Sequence, residues 1–140
     1  EGQPFRDPSD YPTISVAASG THDTEPMIVW WERAPDDERR RVNAIPTVQR
    51  VSGGSSLLGA TEQRVRDVLL ETLYASGSEL LLLPVQDVFG WRDRINEPAT
   101  VNDANWTFRL KWPSDHLQSV PEARERCDTL RRWSGQYGRL

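Results

Sequence analysis

The stretch that decides the fold is Ser19–Glu25, Ser-Gly-Thr-His-Asp-Thr-Glu, which lies where an apolar segment ends and a helical pattern begins. Residues 13–18 before it are mostly apolar, which is typical of a strand covered on both faces. The apolar residues after it recur at helical spacing, so a helix is predicted over about residues 24–34, with its first threonine as the N-cap. His22 and Asp23 would then lie at the carboxyl end of a strand, where α/β sheets and barrels place their chemistry.

The rest of the chain repeats this pattern of strand and helix once. An amphipathic stripe of apolar residues predicts a helix over about residues 61–76. Four consecutive leucines within residues 79–85 predict a second buried strand. A long loop, residues 86–119, follows that strand, and a final helix is predicted over about residues 121–133. Two buried strands joined by helices form a βαβ unit, so the fold class is α/β with a parallel sheet.

Composition and charge narrow the class of protein. The chain has 140 residues, of which 36% are hydrophobic and 27% charged, as expected for a globular domain. A formal net charge of −4 gives no reason to expect nucleic acid as a partner. No apolar run is long enough to cross a bilayer, so no membrane partner is predicted. The single cysteine, Cys127, excludes an internal disulfide and is typical of a reducing compartment, so we expect a cytoplasmic protein.

The remaining reactive side chains have structural interpretations. His116 lies in the long loop without a metal-ligand companion, and Cys127 has no histidine near it in the sequence. Glu25 lies in the first turn of a predicted helix, where an acidic residue commonly compensates the helix dipole. The sequence contains no zinc spacing, phosphate-binding loop or dinucleotide fingerprint, so neither a metal nor another cofactor is predicted.

By itself the His-Asp pair does not indicate an active site, because such a pair at a strand–helix junction commonly serves as a cap. A second motif makes the pattern more specific. Residues 86–110 contain Gln-Asp-Val-Phe-Gly, then Arg94–Thr100, then Asn-Trp-Thr-Phe-Arg-Leu. Residues 19–25 resemble the His-Asp motif of the 4-α-glucanotransferases (amylomaltases, glycoside hydrolase family 77), and residues 86–110 resemble that family's last barrel loop. The two motifs occur in the family's order, and the resemblance covers nearly the whole chain.

The resemblance implies a barrel fold of which this chain forms only a part. It identifies the chain as the last two β/α units of a (β/α)8 TIM barrel, with residues 1–140 as an incomplete C-terminal segment of the catalytic barrel. Two strands can neither close a barrel nor bury their own faces, so the remainder of the barrel is an expected partner. The chain also begins with a polar, proline-rich segment that leads directly into a strand, which predicts that it is part of a longer protein.

The resemblance also assigns roles to the residues of the first motif. Asp23 matches the carboxylate that holds the sugar ring and stabilises the transition state, so it is the candidate catalytic residue. His22 matches the histidine that donates to sugar hydroxyls in the same subsite, and Thr21 would orient the turn. The family's nucleophile and acid/base belong to earlier strands and have no counterpart in this chain.

In the last loop the resemblance covers Arg94, Asn96 and Trp106, whose side-chain types bind sugar hydroxyls and pyranose rings. They complete the candidate substrate-binding set with His22 and Thr21. Stabilisation of the loop is nevertheless the favoured role for the arginine and the asparagine.

The aromatic residues of the loop have two interpretations. Trp91 and Trp106 are equally compatible with a sugar platform and with anchoring of the loop, whereas Phe108 and Trp112 are expected to pack in the interior. The family's Pro-Gly-Thr turn is Pro-Ala-Thr here, so Ala99 would alter that turn slightly if glycine normally supplies a positive φ.

These expectations together predict the C-terminal part of a 4-α-glucanotransferase. The parent enzyme would transfer α-1,4-glucan segments between maltodextrins through a retaining covalent glycosyl-enzyme, with α-1,4-glucan oligosaccharides as its partners. The fragment alone would be inactive. Two alternatives stay open: another α-amylase-clan glycosidase, which upstream carboxylate motifs would identify, and a non-catalytic glucan-binding or scaffolding remnant, which a gene start near Glu1 would support.

Overall fold

Two short parallel strands form the sheet, β1 (Val16–Ala18) and β2 (Leu80–Leu82). In this computed structural model, which describes residues 5–139, Ala17 pairs with Leu81 in the register of the two strands. Parallel strands cannot be joined by a tight hairpin, so the chain between them crosses over the sheet through helices.

The helices follow the strands in chain order. Between β1 and β2 lie α1 (Met27–Arg33), α2 (Asp36–Asn43), α3 (Pro46–Ser52) and α4 (Glu62–Tyr74). After β2 lie α5 (Val85–Phe89) and α6 (Pro121–Gln136). Two 3-10 segments span Pro8–Asp10 and Ser114–Ser119. No helix in the described part of the chain is long and apolar enough to span a membrane.

The first helix begins later than the sequence predicts. Its predicted N-cap was Thr24, but α1 starts at Met27. The Thr24 Oγ1 accepts from the backbone N–H of Thr21 at 2.8 Å and donates to the carbonyl oxygen of the same residue at 3.0 Å. This threonine therefore closes a tight turn instead of capping the helix, and the turn lengthens the connection between β1 and α1.

The other boundaries differ in ways that local chemistry explains. The helix expected over about residues 61–76 is α4, whose N-cap Thr61 accepts from the N–H of Arg64 at 3.3 Å. The strands expected over residues 13–18 and 79–85 are three residues each. The loop expected over residues 86–119 starts later, because α5 occupies its beginning and stops at Gly90 in the left-handed region, φ 72°.

One face of the sheet is covered by helices and the other is open. Ala17 is buried and Leu81 packs against the helical core. Alternate side chains point to the opposite side, where Leu82 is 63% exposed. We call this surface the open sheet face: Ile14, Val16, Leu80 and Leu82. The prediction that both strands are buried on both faces is wrong for residues 5–139, because helices cover one side alone.

The core is centred on α4, which packs against α1, α3, α5 and α6. Its buried face contains Val65, Val68 and Leu70, and full burial of such a side chain contributes about 1.5–3 kcal/mol. Trp133 of α6 lies against Tyr74, with ring centroids 5.5 Å apart. The helical layer thereby fixes the position of the β1–α1 turn relative to the segment that follows β2.

Candidate functional site

The turn between β1 and α1, residues 20–26, presents the side chains of His22 and Asp23, both about half-exposed. Thr21 organises this turn from within. Its Oγ1 accepts from the N–H of Asp23 at 3.3 Å, and its carbonyl oxygen accepts from the N–H of Thr24 at 3.3 Å. The turn therefore has an internal hydrogen-bond framework that directs two polar side chains outward.

The loop after α5 contacts this turn through Arg94 and Asn96. The Asn96 Nδ2 donates to the Asp23 Oδ1 at 2.6 Å, and the Asn96 N–H donates to the carbonyl oxygen of His22 at 3.1 Å. The Arg94 Nη2 donates to the carbonyl oxygen of Asp23 at 2.8 Å. The fold thus brings together two motifs that are far apart in sequence, and the loop holds both the backbone and the carboxylate of the aspartate.

His22 lies between a carboxylate and an indole. Its Nε2 is 3.4 Å from the Asp23 Oδ2, and its ring centroid is 5.1 Å from that of Trp106, with the planes tilted by 39°. Trp106 is 60% exposed. Carboxylate, imidazole and exposed indole are side-chain types that bind sugar hydroxyls and the flat faces of pyranose rings.

Two residues of the loop adopt left-handed backbone conformations, Ala99 at φ 58° and Trp106 at φ 65°. Such a conformation costs a non-glycine residue roughly 1–2 kcal/mol. The alanine thus takes the positive φ that a glycine would favour in this turn. Asn105 stabilises the loop around it, since its Oδ1 accepts from the N–H of Glu97 at 3.0 Å and its Nδ2 donates to the carbonyl oxygen of Thr100 at 3.2 Å.

A buried carboxylate, Asp87, joins the two ends of the turn, and no role is predicted for it from the sequence. It is 2% exposed. Its Oδ2 accepts from the Ser19 Oγ at 2.5 Å, and its Oδ1 accepts from the N–H of Met27 at 2.7 Å. Burial raises the pKa of Asp87, although both hydrogen bonds act in the opposite direction. Its membership of the Gln-Asp-Val-Phe-Gly motif was the signal that could have found it.

The aromatic cluster beneath the loop is centred on Trp91, which is 5% exposed. Its ring stacks on Phe89 with centroids 4.6 Å apart and planes 14° from parallel. Trp112 and Phe108 pack around it at 5.5 Å and 6.3 Å. Of the two tryptophans with open interpretations, Trp91 therefore anchors the loop in the interior, and Trp106 alone is exposed beside His22.

Other charged groups near the site form surface links. Arg92 bridges Glu32 and Glu62, with 2.5 Å between its guanidinium nitrogens and each carboxylate, and so connects the loop to α1 and α4.

Among residues 5–139, no group of three or more His, Cys, Asp or Glu side chains could hold a metal ion. Cys127 is exposed on α6.

Comparisons with known proteins agree on one family. The model of the 4-alpha-glucanotransferase family matches residues 1–115. The chain is 27% identical over 135 residues to the chloroplastic/amyloplastic 4-alpha-glucanotransferase of Solanum tuberosum, covering 95% of this chain and 21% of that protein. It is 28% identical over 131 residues to the 4-alpha-glucanotransferase of Synechocystis, covering 86% of this chain and 23% of that protein. The chain thus spans about a fifth of the length of these curated relatives.

A solved structure shows the same fold. It is that of the amylomaltase from Streptococcus agalactiae in complex with acarbose, which superposes with a TM-score of 0.69 at 23% identity. The likeness covers 94% of this chain and 23% of that protein. The strands and helices described above therefore correspond to a part of a larger amylomaltase fold.

Proposed function

The chain belongs to the 4-alpha-glucanotransferase family, and from that premise we propose that it supplies one wall of the active site of an enzyme that transfers α-1,4-glucan segments between maltodextrins. The observation that carries this proposal is the contact between the two motifs. Asn96 binds the carboxylate of Asp23 at 2.6 Å, beside His22 and an exposed tryptophan. Two separated motifs that meet at one polar surface are expected of a substrate site and not of two unrelated caps.

We assign to Asp23 the stabilisation of the transition state. A retaining transglycosylase passes through an oxocarbenium-like state, and a fixed negative charge near the ring lowers its energy. The bond from Asn96 holds one carboxylate oxygen in place, while the side chain remains about half-exposed to a ligand. In this proposal the covalent nucleophile and the acid/base come from parts of the protein outside these residues.

The surrounding residues receive binding or positioning roles. His22 donates to sugar hydroxyls and Trp106 offers its indole face to a pyranose ring, because both side chains are exposed and adjacent. Thr21 orients the turn through its own hydrogen bonds. Arg94 and Asn96 both bind the turn itself, which favours positioning over direct contact with glucose.

For the fold we propose that β1 and β2 are the last two strands of a (β/α)8 barrel, with residues 1–140 as a C-terminal segment of the catalytic domain. The two strands are parallel and joined by helices, as barrel strands are. The open sheet face is apolar, and a barrel interior filled by side chains from neighbouring strands would cover it. The remainder of the barrel is therefore its partner.

A reducing compartment, and specifically the cytoplasm, remains our proposal for the location. It rests on the use of a single cysteine. The potato relative is named chloroplastic/amyloplastic, so related proteins occur in an organelle as well. Fractionation of the source cells with detection of the protein distinguishes the two.

The test uses the full-length protein that contains this chain, incubated with maltotriose. Transfer produces glucose together with maltodextrins longer than the substrate. Hydrolysis products without longer chains would favour another α-amylase-clan glycosidase. Binding of maltodextrin without any product would instead favour a glucan-binding remnant, and either result contradicts the proposal.

A further inference from the structure

We propose that Asp87 is a further positioning residue of this site, because it binds both ends of the turn that carries His22 and Asp23. The inference rests on the proposed function only where it concerns turnover; the geometric claim stands by itself. The hydrogen bonds of the Asp87 carboxylate go to Ser19 and Met27, so it acts through the backbone that presents the two exposed side chains.

Each oxygen of the Asp87 carboxylate accepts one hydrogen bond from one end of the turn. One oxygen accepts from the Ser19 hydroxyl, directly after β1, and the other accepts from the Met27 N–H, the first residue of α1. Distances of 2.5 and 2.7 Å are typical of hydrogen bonds to an ionised acceptor. Residues 20–26 are therefore a closed loop whose two ends converge on one side chain.

The local sequence does not provide this fastening. α1 has Pro26 at its N-cap position and no capping hydrogen bond from that side chain. Asp87 supplies the missing acceptor from α5, which follows the other strand. Gly20 permits the close packing, because a Cβ there would lie 2.5 Å from the Thr24 Oγ1 and 3.7 Å from the Asp87 Oδ2.

The same segment also binds the middle of the turn. Asp87 lies in α5, and the loop that leaves α5 carries Arg94 and Asn96, which bind the carbonyl oxygen and the carboxylate of Asp23. Three residues of a short stretch after β2 thus set the position of the turn. Burying a carboxylate between two neutral donors costs free energy, and the two hydrogen bonds that Asp87 accepts in return fix the positions of Ser19 and Met27.

Two variants of the full-length enzyme separate positioning from charge. Asp87→Ala removes both hydrogen bonds. Asp87→Asn keeps an acceptor for the Met27 N–H and provides an amide that can donate to the Ser19 hydroxyl, so it removes the charge alone. We expect Asp87→Ala to lower kcat on maltotriose by about tenfold to a hundredfold with a change in KM below about threefold, and Asp87→Asn to restore kcat to within about threefold.

Amide hydrogen exchange gives a readout that does not depend on activity. Residues 20–27 should exchange at least about tenfold faster in Asp87→Ala than in the wild type, and near the wild-type rate in Asp87→Asn. Should Asp87→Ala not fold, Ser19→Ala removes one of the two bonds. It is expected to give a smaller change of the same kind in exchange and in kcat.

Asp7→Ala is the matched control. The Asp7 carboxylate also accepts two hydrogen bonds, in its case from the backbone N–H groups of Ser9 and Thr47, each at 3.0 Å, and it too binds the start of a helix, α3. Its loss should lower the melting temperature but leave kcat and the exchange of residues 20–27 unchanged.

Two results would overturn the inference: unchanged exchange of the turn in Asp87→Ala, or an equal loss of kcat in Asp87→Ala and Asp7→Ala. A wild-type enzyme without transfer activity contradicts the proposed function instead. The exchange data then still decide whether Asp87 holds the turn.

Discussion

Asn96 is the residue that connects the two motifs. Its side chain donates to the Asp23 carboxylate, and its backbone N–H donates to the carbonyl oxygen of His22. A hydrogen bond to a charged group contributes about 1.5–3 kcal/mol, so Asn96→Ala should lower kcat by roughly tenfold to a hundredfold. The control is Asn102→Ala. Asn102 bonds within its own loop, to Thr100 and to two backbone N–H groups, and its loss should leave kcat near the wild-type value. Equal effects of the two substitutions would refute a specific role for Asn96.

Asp87 and Asp7 should respond to pH with opposite signs. Burial raises the pKa of Asp87, so its stabilising contribution is present below the unfolded pKa, about 3.9, and is lost as pH rises through the folded pKa. Burial also raises the pKa of Asp7, but hydrogen bonds from Thr47 and Ser9 outweigh burial and lower it overall. Its contribution is therefore present above the unfolded pKa and is lost as pH falls through the folded pKa.

Melting temperatures of the full-length protein test this pair of signs. Relative to the wild type, Asp87→Asn should gain stability as pH rises from about 4. Asp7→Asn should lose stability relative to the wild type as pH rises to about 4. If the stability of both variants relative to the wild type changed with pH in the same direction, the direction of the pKa shift would be wrong for one of the two aspartates.

At the scale of elements, the loop after α5 contains two tryptophans with different surroundings. Trp91 is stacked on Phe89 in the interior, whereas Trp106 is exposed beside His22. Trp106→Ala should raise KM for maltodextrins with kcat little changed, because a stacking platform binds substrate and transition state alike. Trp91→Ala should instead cost about 3–5 kcal/mol of stability, as for other large buried aromatics. Steady-state kinetics and thermal unfolding distinguish the effects of the two substitutions. A loss of stability in Trp106→Ala with a normal KM would show that Trp106 is a structural residue.

Elements whose determinants are close in sequence were predictable. α4 shows an apolar stripe over several turns, and its cap Thr61 bonds three residues ahead. The start of α1 was not predictable, because its acceptor is Asp87, sixty residues later. α5 was missed for another reason: five residues are too few to display a helical period.

The candidate site could also be predicted from the sequence only in part. Motif resemblance selected His22, Asp23, Arg94 and Asn96 together, and the fold brings all four into contact. What the sequence could not predict is which atoms meet, or that a buried aspartate links the ends of the turn. Those contacts depend on the packing of α5 against α4 and on the pairing of β1 with β2, which no local pattern encodes.

For the whole molecule, the open sheet face predicts how residues 1–140 behave alone. Its four apolar side chains are exposed, and paired strands with unsatisfied edges associate with other chains. We expect the isolated chain to aggregate or to remain partly unfolded, and to lack transferase activity because two of three carboxylates would be missing. Light scattering measures the aggregation, thermal unfolding measures the degree of folding, and incubation with maltotriose measures the transferase activity.

A matched pair of substitutions locates the cause. Leu82→Ser, on the open sheet face, should reduce aggregation of the isolated chain. Val101→Ser replaces a fully exposed apolar residue of the loop and should not. A monodisperse isolated chain with a sharp, reversible transition would show instead that the segment is a self-sufficient domain.

The proposed role of Asp23 is tested by the steady-state kinetics of Asp23→Asn in the full-length enzyme on maltotriose, with circular dichroism to verify the fold. This substitution keeps the size and most of the hydrogen bonding of the side chain but removes its charge. If the charge stabilises the transition state, kcat should fall by roughly a hundredfold or more while KM changes much less, and His22→Ala should give a milder loss. A folded Asp23→Asn enzyme with near-normal kcat would contradict a role of this charge in the transition state and leave Asp23 a structural residue of the turn.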